Sequence, residues 1–554
     1  AMLADAGFYD VTNSGMVSYT PKAPNSAGLV QYVDCPVSYY TGTPEINIPL
    51  YEIDAQGLKI PITLNYHASG IRVAQEATWV GLGWNLNCGG MVARTVKCSD
   101  DFHEYVDSYE DMIKQGYYDA PEAKEPLSND YFNIQLYGDT KLQKDSEPDI
   151  FFYSIPGSSG KFMIDKSRGP VLFSRIGASN VKIELVGSKI GEHGSYTFKI
   201  TDVYGNSFYF EKKEITWSYS RGGDLNLNNP NATVWDENES TVKMRYEVPM
   251  KYTSSWLLTQ IITAKGQSVS FNYTKESYQL PTQEAAVKYN YIDGWGSGGN
   301  TFGTKYSCNK TVVESYRLTN ISWNGGTVTF EASPREDITT WEDDYQPQKL
   351  DRITVRNNLG DIVKQYAFSY TYMNNTRTGN YAYVFKRLML DGLTDCLDTS
   401  IKYDMTYYND HQMPAKNSKN TDYWGYSNGR VQGNDYYCSA SYNGQIYAGA
   451  DKTGNLNYMR TGTLKSLTYP TGEKEDYIYE TLTSTTAPTP IVIDVTGSLG
   501  VFKRYESDAY EDENIPEINT RTITIAERTN FEIWAHLENT TGKADKTYLY
   551  NNET

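Results

Sequence analysis

The residues that could do chemistry are few and scattered. Five histidines occur, His67, His103, His193, His411 and His536. None has a second histidine two residues along a strand or four along a helix, the spacings that put two imidazoles on one face for a metal. His67 falls on the polar side of an alternating run and reads as a surface residue. The six cysteines, Cys35, Cys88, Cys98, Cys308, Cys396 and Cys438, form no CxxC pair, which argues against a zinc ribbon or a thioredoxin-type site. They fit buried thiols or one or two bridges equally well. Cys88 and Cys98 would stand ~33 Å apart on one continuous strand, so they could pair only if the chain folds back. Residues 294–299, GWGSGG, match the letters of a dinucleotide loop, but a strand should precede and a helix follow, and here polar loop flanks both sides. No G-x-S-x-G elbow is present. With 68 Asp and Glu, no glycosidase pair can be singled out. Asp451 in DKTGN and Asp512 in YEDENIPE lie in oxygen-rich stretches without the regular calcium-loop spacing, and read as solvated loops. Trp295, Trp341 and Trp424 could stack on sugars, but packing is the better expectation for Trp in a sheet protein. We therefore expect no catalytic residue, no metal and no cofactor.

What must position such residues is a large sheet. The chain has 554 residues, 49 of them Tyr and 44 Gly, with 14% aromatics. Tyr, Thr, Val and Ile suit a half-buried pleated surface, while Gly and Asn suit its turns. A mean hydropathy of −0.58 and the lack of any run near ~18 apolar residues argue against a helical membrane span. The formal charge of −18 argues against nucleic acid, which needs a basic footprint. The expected fold is all-β, mostly antiparallel, a large curved sheet or β-sandwich architecture.

Residues 1–35 read as an irregular lead-in. From Glu45 the alternation sharpens. Ile46, Ile48 and Leu50 alternate with Asn47 and Pro49, then Leu58, Ile60, Ile62, Leu64 and Tyr66 alternate with Lys59, Pro61, Thr63, Asn65 and His67. Period two predicts half-buried strands, with DAQG (54–57) as the hairpin turn. Pro49 and Pro61 each lack a ladder donor, which predicts edge or bulge positions. Tyr105, Tyr109, Met112 and Ile113 recur at helical spacing and predict a minor helix near 103–117. Further hairpins are expected to turn at GSSG (157–160), Gly205-Asn206, Lys265-Gly266-Gln267, Asn324-Gly325-Gly326, Asn358-Leu359-Gly360 and Pro470-Thr471-Gly472. Their spacing is uneven, so a meandering sheet is expected and not a propeller. Residues 218–240, 285–310 and 410–463 read as polar loops, 481–490 as a Thr/Pro linker, and 491–554 as a separate small β-sandwich.

Several stretches carry a family resemblance. PVSYYTGTPEINIPLYEI, LKIPITLNYHASGIRV and TWVGLGWNLNCGGMVART resemble the amino-terminal region of Rhs/YD-repeat proteins from Bacteroidota. In the same order follow EPDIFFYSIPGSSGKFMID, TDVYGNSFYF, SSWLLTQIITAKGQSVSFNY, DYWGYSNGR and TGTLKSLTYPTGEKEDYIYE, so the resemblance covers about residues 30–480 and defines a domain region of 36–480. A weaker similarity extends to the amino-terminal domain of Tc-toxin B subunits and related plasmid-virulence toxins. In that larger family, YD-repeat sheet wraps into a hollow shell around a toxic carboxy-terminal domain. This sequence departs from the pattern in holding almost no YD repeats and no self-cleavage segment, and in having Cys88 and Cys98 where small residues are expected.

A curved wall needs bulges and Gly corners. Gly81 and Gly83 are expected to bend the chain sharply, with Trp79 and Trp84 covering the corner and Trp84 buried. Asp422, Trp424 and Gly425 are expected to brace a long loop, the Asp422 carboxylate accepting backbone hydrogen bonds. The resemblance implies a non-enzymatic, secreted or cell-surface scaffold, the front of an Rhs-type polymorphic toxin or cell-contact protein. Its partner would be the remainder of a longer Rhs-type chain or another surface or secretion protein. The alternative is an adhesin module that binds glycan or protein, with the region after Ile491 as the adhesive part.

Overall fold

The computed structural model describes residues 23–24, 45–97, 114–115, 143–144, 148–165, 169–172, 181–187, 196–223, 250–291, 301–430 except 375, 377 and 380, 440–442, 445–447 and 449–480. The chain divides into a unit of Leu3–Tyr479 and a unit of Ala1–Met2 with Glu480–Thr554. The expected linker 481–490 and sandwich 491–554 lie outside the described residues. So does the lead-in 1–35, apart from Ala23 and Pro24; Ala23 is buried against Tyr278, Leu280, Val313 and Ile338.

The fold is all-β and antiparallel in its main sheets. Glu45–Ala55, Leu58–His67 and Trp84–Cys88 form a three-stranded sheet. Alternation does what the pattern requires: Leu58, Ile60, Ile62, Leu64 and Tyr66 are all buried. The register of the first strand slips between Pro49 and Tyr51, a bulge beside the proline, and Pro61 lies just beyond the last residue paired with the third strand.

From Met91–Thr95 onward, nineteen strands join one sheet. Most of it is a meander, as in the run Tyr196–Thr201, Ser207–Gly223, Met250–Ile262 and Ser268–Gln279, each paired with the next. The long strand Thr301–Trp323 pairs with both Ser268–Gln279 and Ser207–Gly223, so four strands close a circuit. Register slips recur along the sheet, at Phe210, Ile215, Tyr273, Ala332, Tyr370 and Tyr407 among others. Each slip bends its strand and adds twist, which is how so wide a sheet curves. One continuous core runs from Ile46 to Leu467 and joins the faces of both sheets. Within it Phe151 stacks on Phe162 with ring centroids 5.0 Å apart, and Phe198 meets Trp256 edge-on at 4.9 Å.

Five of the hairpin turns follow two recipes. Gln56-Gly57 joins the first two strands with φ of +54° and +113°, both positive as a type I′ turn requires. A three-residue loop with a left-handed Gly recurs at 202–206, 263–267, 357–361 and 469–473. In each, the first N–H bonds the fifth carbonyl and the Gly N–H bonds the first carbonyl. The Gly φ values are +86°, +81°, +91° and +82°. This is the type I turn closed by a left-handed bulge residue. In three copies a side-chain oxygen of the first residue helps close it, Thr263 Oγ1 taking the Gln267 N–H at 3.1 Å. Asp202 Oδ1 takes the N–H of Tyr204 and Asn206, and Asn357 Oδ1 takes those of Leu359 and Asp361.

Several local expectations are corrected. The hairpin predicted at GSSG turns two residues earlier, at Pro156-Gly157, and Ser158, Ser159 and Gly160 are already strand, because Pro then Gly supplies the φ pair of a type II turn. The predicted loops at 218–240 and 285–310 are strand over Ser218–Gly223, up to Tyr291, and again from Thr301. Mutual pairing of these long ribbons outweighs their Gly, Asn and Ser content, since β-propensity is set by context. The helix expected near 103–117 lies mostly outside the described residues. Within it, Lys114–Gln115 is a short strand paired in parallel with Gln143–Lys144.

Gln56 is a non-Gly residue held at positive φ, which costs about 1 kcal/mol where Asn or Gly would cost less. Gln56→Asn should therefore raise stability by about 0.5 kcal/mol in urea denaturation. A loss of stability would show that the Gln56 side chain carries a contact worth more than the backbone strain.

Candidate functional site

The segment from Ser69 to Gly83 links two neighbouring strands of the small sheet yet has almost no regular structure of its own. It is instead held along its whole length by residues some 250 to 400 positions later in the chain.

At its far end lies the Gly corner. Thr78 Oγ1 donates to the Trp84 carbonyl at 2.6 Å, and Gly81 N–H bonds the Thr78 carbonyl at 3.1 Å. Gly81 and Gly83 have φ of +111° and +78°. A Cβ on Gly83 would stand 2.5 Å from the Tyr66 ring, and one on Gly81 would stand 3.0 Å from the backbone N of Leu390. These glycines thus serve both conformation and close approach. Leu82 N–H bonds the Leu388 carbonyl at 2.8 Å and Leu350 N–H bonds the Trp79 carbonyl at 2.9 Å, docking the corner on the large sheet. Trp84 is fully buried. Its Nε1 donates to Tyr407 Oη at 2.8 Å, which donates onward to the Leu390 carbonyl at 2.6 Å. Tyr66 Oη accepts from Leu464 N–H at 2.8 Å.

In the middle is a buried ionic cluster. Arg335 grips Asp337 through two contacts of 2.8 Å and reaches the carbonyls of Ala77 and Thr78 at 3.1 and 3.2 Å. Asp337 Oδ2 also accepts from Leu388 N–H at 3.0 Å. Lys416 contacts Glu76 at 2.5 Å and donates to the Asp337 carbonyl at 2.6 Å. Arg387, fully buried, donates to the carbonyls of Val73 and Pro414 at 2.8 and 2.9 Å. Burial works to raise the Asp337 carboxyl, but the Arg335 charge and hydrogen bonds, with Lys416, hold it below its ordinary value. The same pairing raises the Arg335 guanidinium against burial, whereas burial dominates at Glu76, Lys416 and Arg387. Burial raises Glu76, lowers Lys416, and pulls the Arg387 guanidinium down to about 10, still charged at neutral pH.

The near end is held by the Asp422 loop. Asp422, buried, accepts the N–H of Trp424 and Tyr426 on Oδ1, both at 2.9 Å, and its own N–H bonds the Tyr426 carbonyl at 2.8 Å. Gly425 has φ +91°. This is the same turn as at Asp202, used here away from a hairpin of long strands. The Gly425 carbonyl accepts Val73 N–H at 2.9 Å, and Tyr426 Oη donates to the Ser69 carbonyl at 3.1 Å. Asp422 and Gly425 thus organise and dock the loop, while Trp424 points out and is 66% exposed.

A second polar centre lies inside the four-strand circuit. Glu214 accepts hydrogen bonds from Ser255 and Ser315 on two neighbouring strands. It lines a cavity of about 80 Å³ together with Asn87, Cys88, Ser154, Tyr273 and others. That space is well below the ~300 Å³ at which small-molecule sites begin. Burial pushes the Cys88 thiol up to about 12, so it is a poor nucleophile. Cys88 and Cys396 are free.

The remaining sequence candidates separate. His67 bonds Ser69 through Nδ1, and His411 stacks on Tyr458 at 4.0 Å. Asp451 Oδ1 accepts Thr453 N–H and its other oxygen pairs with Arg430 at 3.3 Å. His103, His193, His536, Trp295, Asp512 and the GWGSGG loop lie outside the described residues. No group of three or more His, Cys, Asp or Glu able to hold a metal occurs among the described residues.

Sequence reasoning missed the ionic cluster. Its members are spread from Glu76 to Lys416, and only Arg387 left a trace, as a cation heading the apolar run Leu388-Met389-Leu390.

No protein-family model matches the chain, and no curated protein matches it. Among solved structures it is similar to TcdB2-TccC3-Cdc42, at 11% identity over 66% of this chain and 16% of that one, with a TM-score of 0.32. It is similar to the Tc holotoxin pore of Photorhabdus luminescens, at 11% identity over the same shares, with a TM-score of 0.31. It is also similar to the N-terminal domain of the effector protein SpvB from Salmonella typhimurium, at 11% identity over 63% of this chain and 98% of that one, with a TM-score of 0.25. The chain thus spans only 16% of the length of the first two. These are loose likenesses, of fold alone.

Two variants test the geometry of this segment. Gly83→Val adds a branched side chain at positive φ against the Tyr66 ring, and should cost about 3 kcal/mol or more. Gly157→Ala, at the same φ of +78° with nothing within 4 Å, should cost only about 1 kcal/mol. Equal losses in urea titrations would show that conformation alone matters at Gly83. Asp337→Asn strips the partner from a buried Arg335 and should cost about 3–5 kcal/mol at pH 7. Because the folded-state pKa of Asp337 lies below its ordinary 3.8, its contribution is complete above 3.8 and is lost as pH falls through the folded value. The gap between wild type and Asp337→Asn should thus be widest near neutrality and narrow below pH 3.8. A gap independent of pH would mean that the carboxylate charge is not what holds Arg335.

Proposed function

We propose that this chain is a non-enzymatic scaffold: the amino-terminal part of an Rhs-type polymorphic toxin or cell-contact protein, secreted or carried on the cell surface. The observation that carries the reading is how the buried charges are used. Arg335, Arg387 and Lys416 all direct N–H groups at backbone carbonyls, of Ala77, Thr78, Val73, Pro414 and Asp337. Charges used this way fix the course of a chain and are not presented to a substrate.

The stretches that carry the family resemblance support the same reading, because their polar residues have structural tasks. Arg94 of the MVART stretch pairs with Asp149 of the PDIFF stretch at 3.3 Å, both almost wholly buried. Asp149 Oδ1 also accepts Lys97 N–H, and Arg94 Nε donates to the Thr253 carbonyl. Asp202 of TDVYGN and Asp422 of DYWGY close turns. The partner would be the remainder of a longer Rhs-type chain or another surface or secretion protein.

Purified chain incubated with polysaccharides, peptides, nucleotides and NAD should release no product; turnover of any of them would overturn the non-enzymatic reading. The toxin-scaffold part is tested separately by reading the gene past Thr554, where YD repeats followed by a variable end are expected. An unrelated continuation would remove it.

A further inference from the structure

The left-handed-Gly turn forces its second and third residues outward, so what stands there is free to serve something other than folding. In the hairpin copies the outward pairs are Val203-Tyr204, Ala264-Lys265, Asn358-Leu359 and Pro470-Thr471. In the Asp422 loop the pair is Tyr423-Trp424, the one doubly aromatic pair of the set. Both side chains are 66% exposed, with ring centroids 6.3 Å apart and planes at 78°. They form a step with one flat face and one upright edge.

This step is rigid. Asp422 Oδ1 holds the Trp424 N–H, and Gly425 and Tyr426 are tied to Val73 and Ser69. The Tyr426 ring lies so close over Gly70 that a Cβ there would stand 2.9 Å from it. The third aromatic of the loop therefore anchors it while the other two project. Rigid Tyr and Trp offer contact area at little entropic cost. Arg72, exposed, runs alongside Gly425, its aliphatic stem 3.8 Å from where a Gly425 Cβ would be. It brings a fork of N–H donors to the same part of the surface.

We infer that Tyr423 and Trp424 form a carbohydrate-binding step, on which a pyranose ring stacks its C–H face against Trp424 with Tyr423 at its edge. Size and charge select this ligand class. Two large aromatic side chains, each of about 150–250 Å² and two-thirds exposed, offer roughly 200–330 Å². A stable protein interface needs about 800 Å² per partner. The flanking residues Asn420, Thr421 and Arg430 are polar and do not extend the apolar area. A net charge of −18 disfavours nucleic acid and anionic membranes. One sugar ring matches one indole face, and polar neighbours suit its hydroxyls. The site is independent of the scaffold reading, since it uses no residue of the ionic cluster or the Gly corner.

The test is native affinity electrophoresis of the whole chain in gels containing arabinoxylan, galactomannan, xyloglucan, starch, yeast α-mannan or mucin. Retardation by at least one of these is expected. Trp424→Ala should weaken it at least about tenfold and Tyr423→Ala more mildly, while Trp341→Ala, which removes another exposed indole, should leave it intact. Unchanged melting temperatures would show that the variants remain folded. No retardation by any of the six, or equal retardation of wild type and Trp424→Ala, would overturn the proposal. So would a shift in oligomeric state on size-exclusion chromatography caused by Trp424→Ala, which would reassign the step to a protein contact.

Discussion

The contact between Arg335 and Asp337 is where the two halves of the architecture meet. Asp337 binds Arg335 and the backbone of Leu388, Arg335 binds the carbonyls of Ala77 and Thr78, and Lys416 binds the Asp337 carbonyl. One ion pair therefore touches the segment after the second strand, the strand that starts at Arg387 and the loop before Asp422. Buried pairs of this kind add little net stability, because desolvation offsets their attraction, but losing one partner is costly. Glu76 and Lys416 show the offset directly, each drawn by burial toward its neutral form although they are in contact. The cluster is best understood as a device for position. Hydrophobic residues could fill the same volume but could not satisfy the carbonyls of a segment that lacks a strand partner.

Position of that segment matters because both its ends enter the small sheet. The Gly corner must deliver Trp84 in register with Tyr66, and a one-residue slip would turn Leu86 away from the core. Three holds, at the Asp422 loop, the ionic cluster and the corner, act on about fifteen residues, the last two sharing Thr78 and Leu388. The repeated turn, Asp-x-x-Gly or Asn-x-x-Gly, supplies one of these holds. The same local solution that closes hairpins at 202–206 and 357–361 is used at 422–426 to make a compact knob that docks by backbone. A chain with many hairpins thus reuses one turn for two purposes.

Much of this was legible in the sequence where the cause is local. Alternation at 45–67 and the Gly-centred turns depend on neighbours along the chain, and so did the positive φ at Gly81 and Gly83. The turn at 157–160 was misplaced because two Gly-containing solutions compete there and the sequence does not say which strand residue pairs first. The strand residues at 218–223 and 285–291 were read as loops because each pairs with Thr301–Trp323, a partner that composition cannot show. The ionic cluster was illegible for the same reason. Arg335, Arg387 and Lys416 look like ordinary surface cations until the topology buries them. The outward direction of Trp424 was hidden too, since burial of Asp422 and exposure of the residue two positions later follow from a single turn type.

The separations involved also set an order for building the molecule. The hydrogen bonds from Arg387 to Val73, from Lys416 to Glu76 and from Leu464 to Tyr66 span 314, 340 and 398 residues. Loop-closure entropy grows only with the logarithm of length, so closing ~340 residues in place of ~30 adds only about 2 kcal/mol. Stability therefore tolerates such distant holds, but kinetics feels them, because non-local contacts slow folding far more than they weaken it. The first hairpin, 45–67, can form from local pairing alone. The segment that follows has no local partner for its carbonyls, so its course is settled only once residues 335–464 have added their strands. The architecture thus leaves the segment 69–83 without its holds until Arg335, Arg387 and Lys416, some 250 to 340 residues further on, are in place.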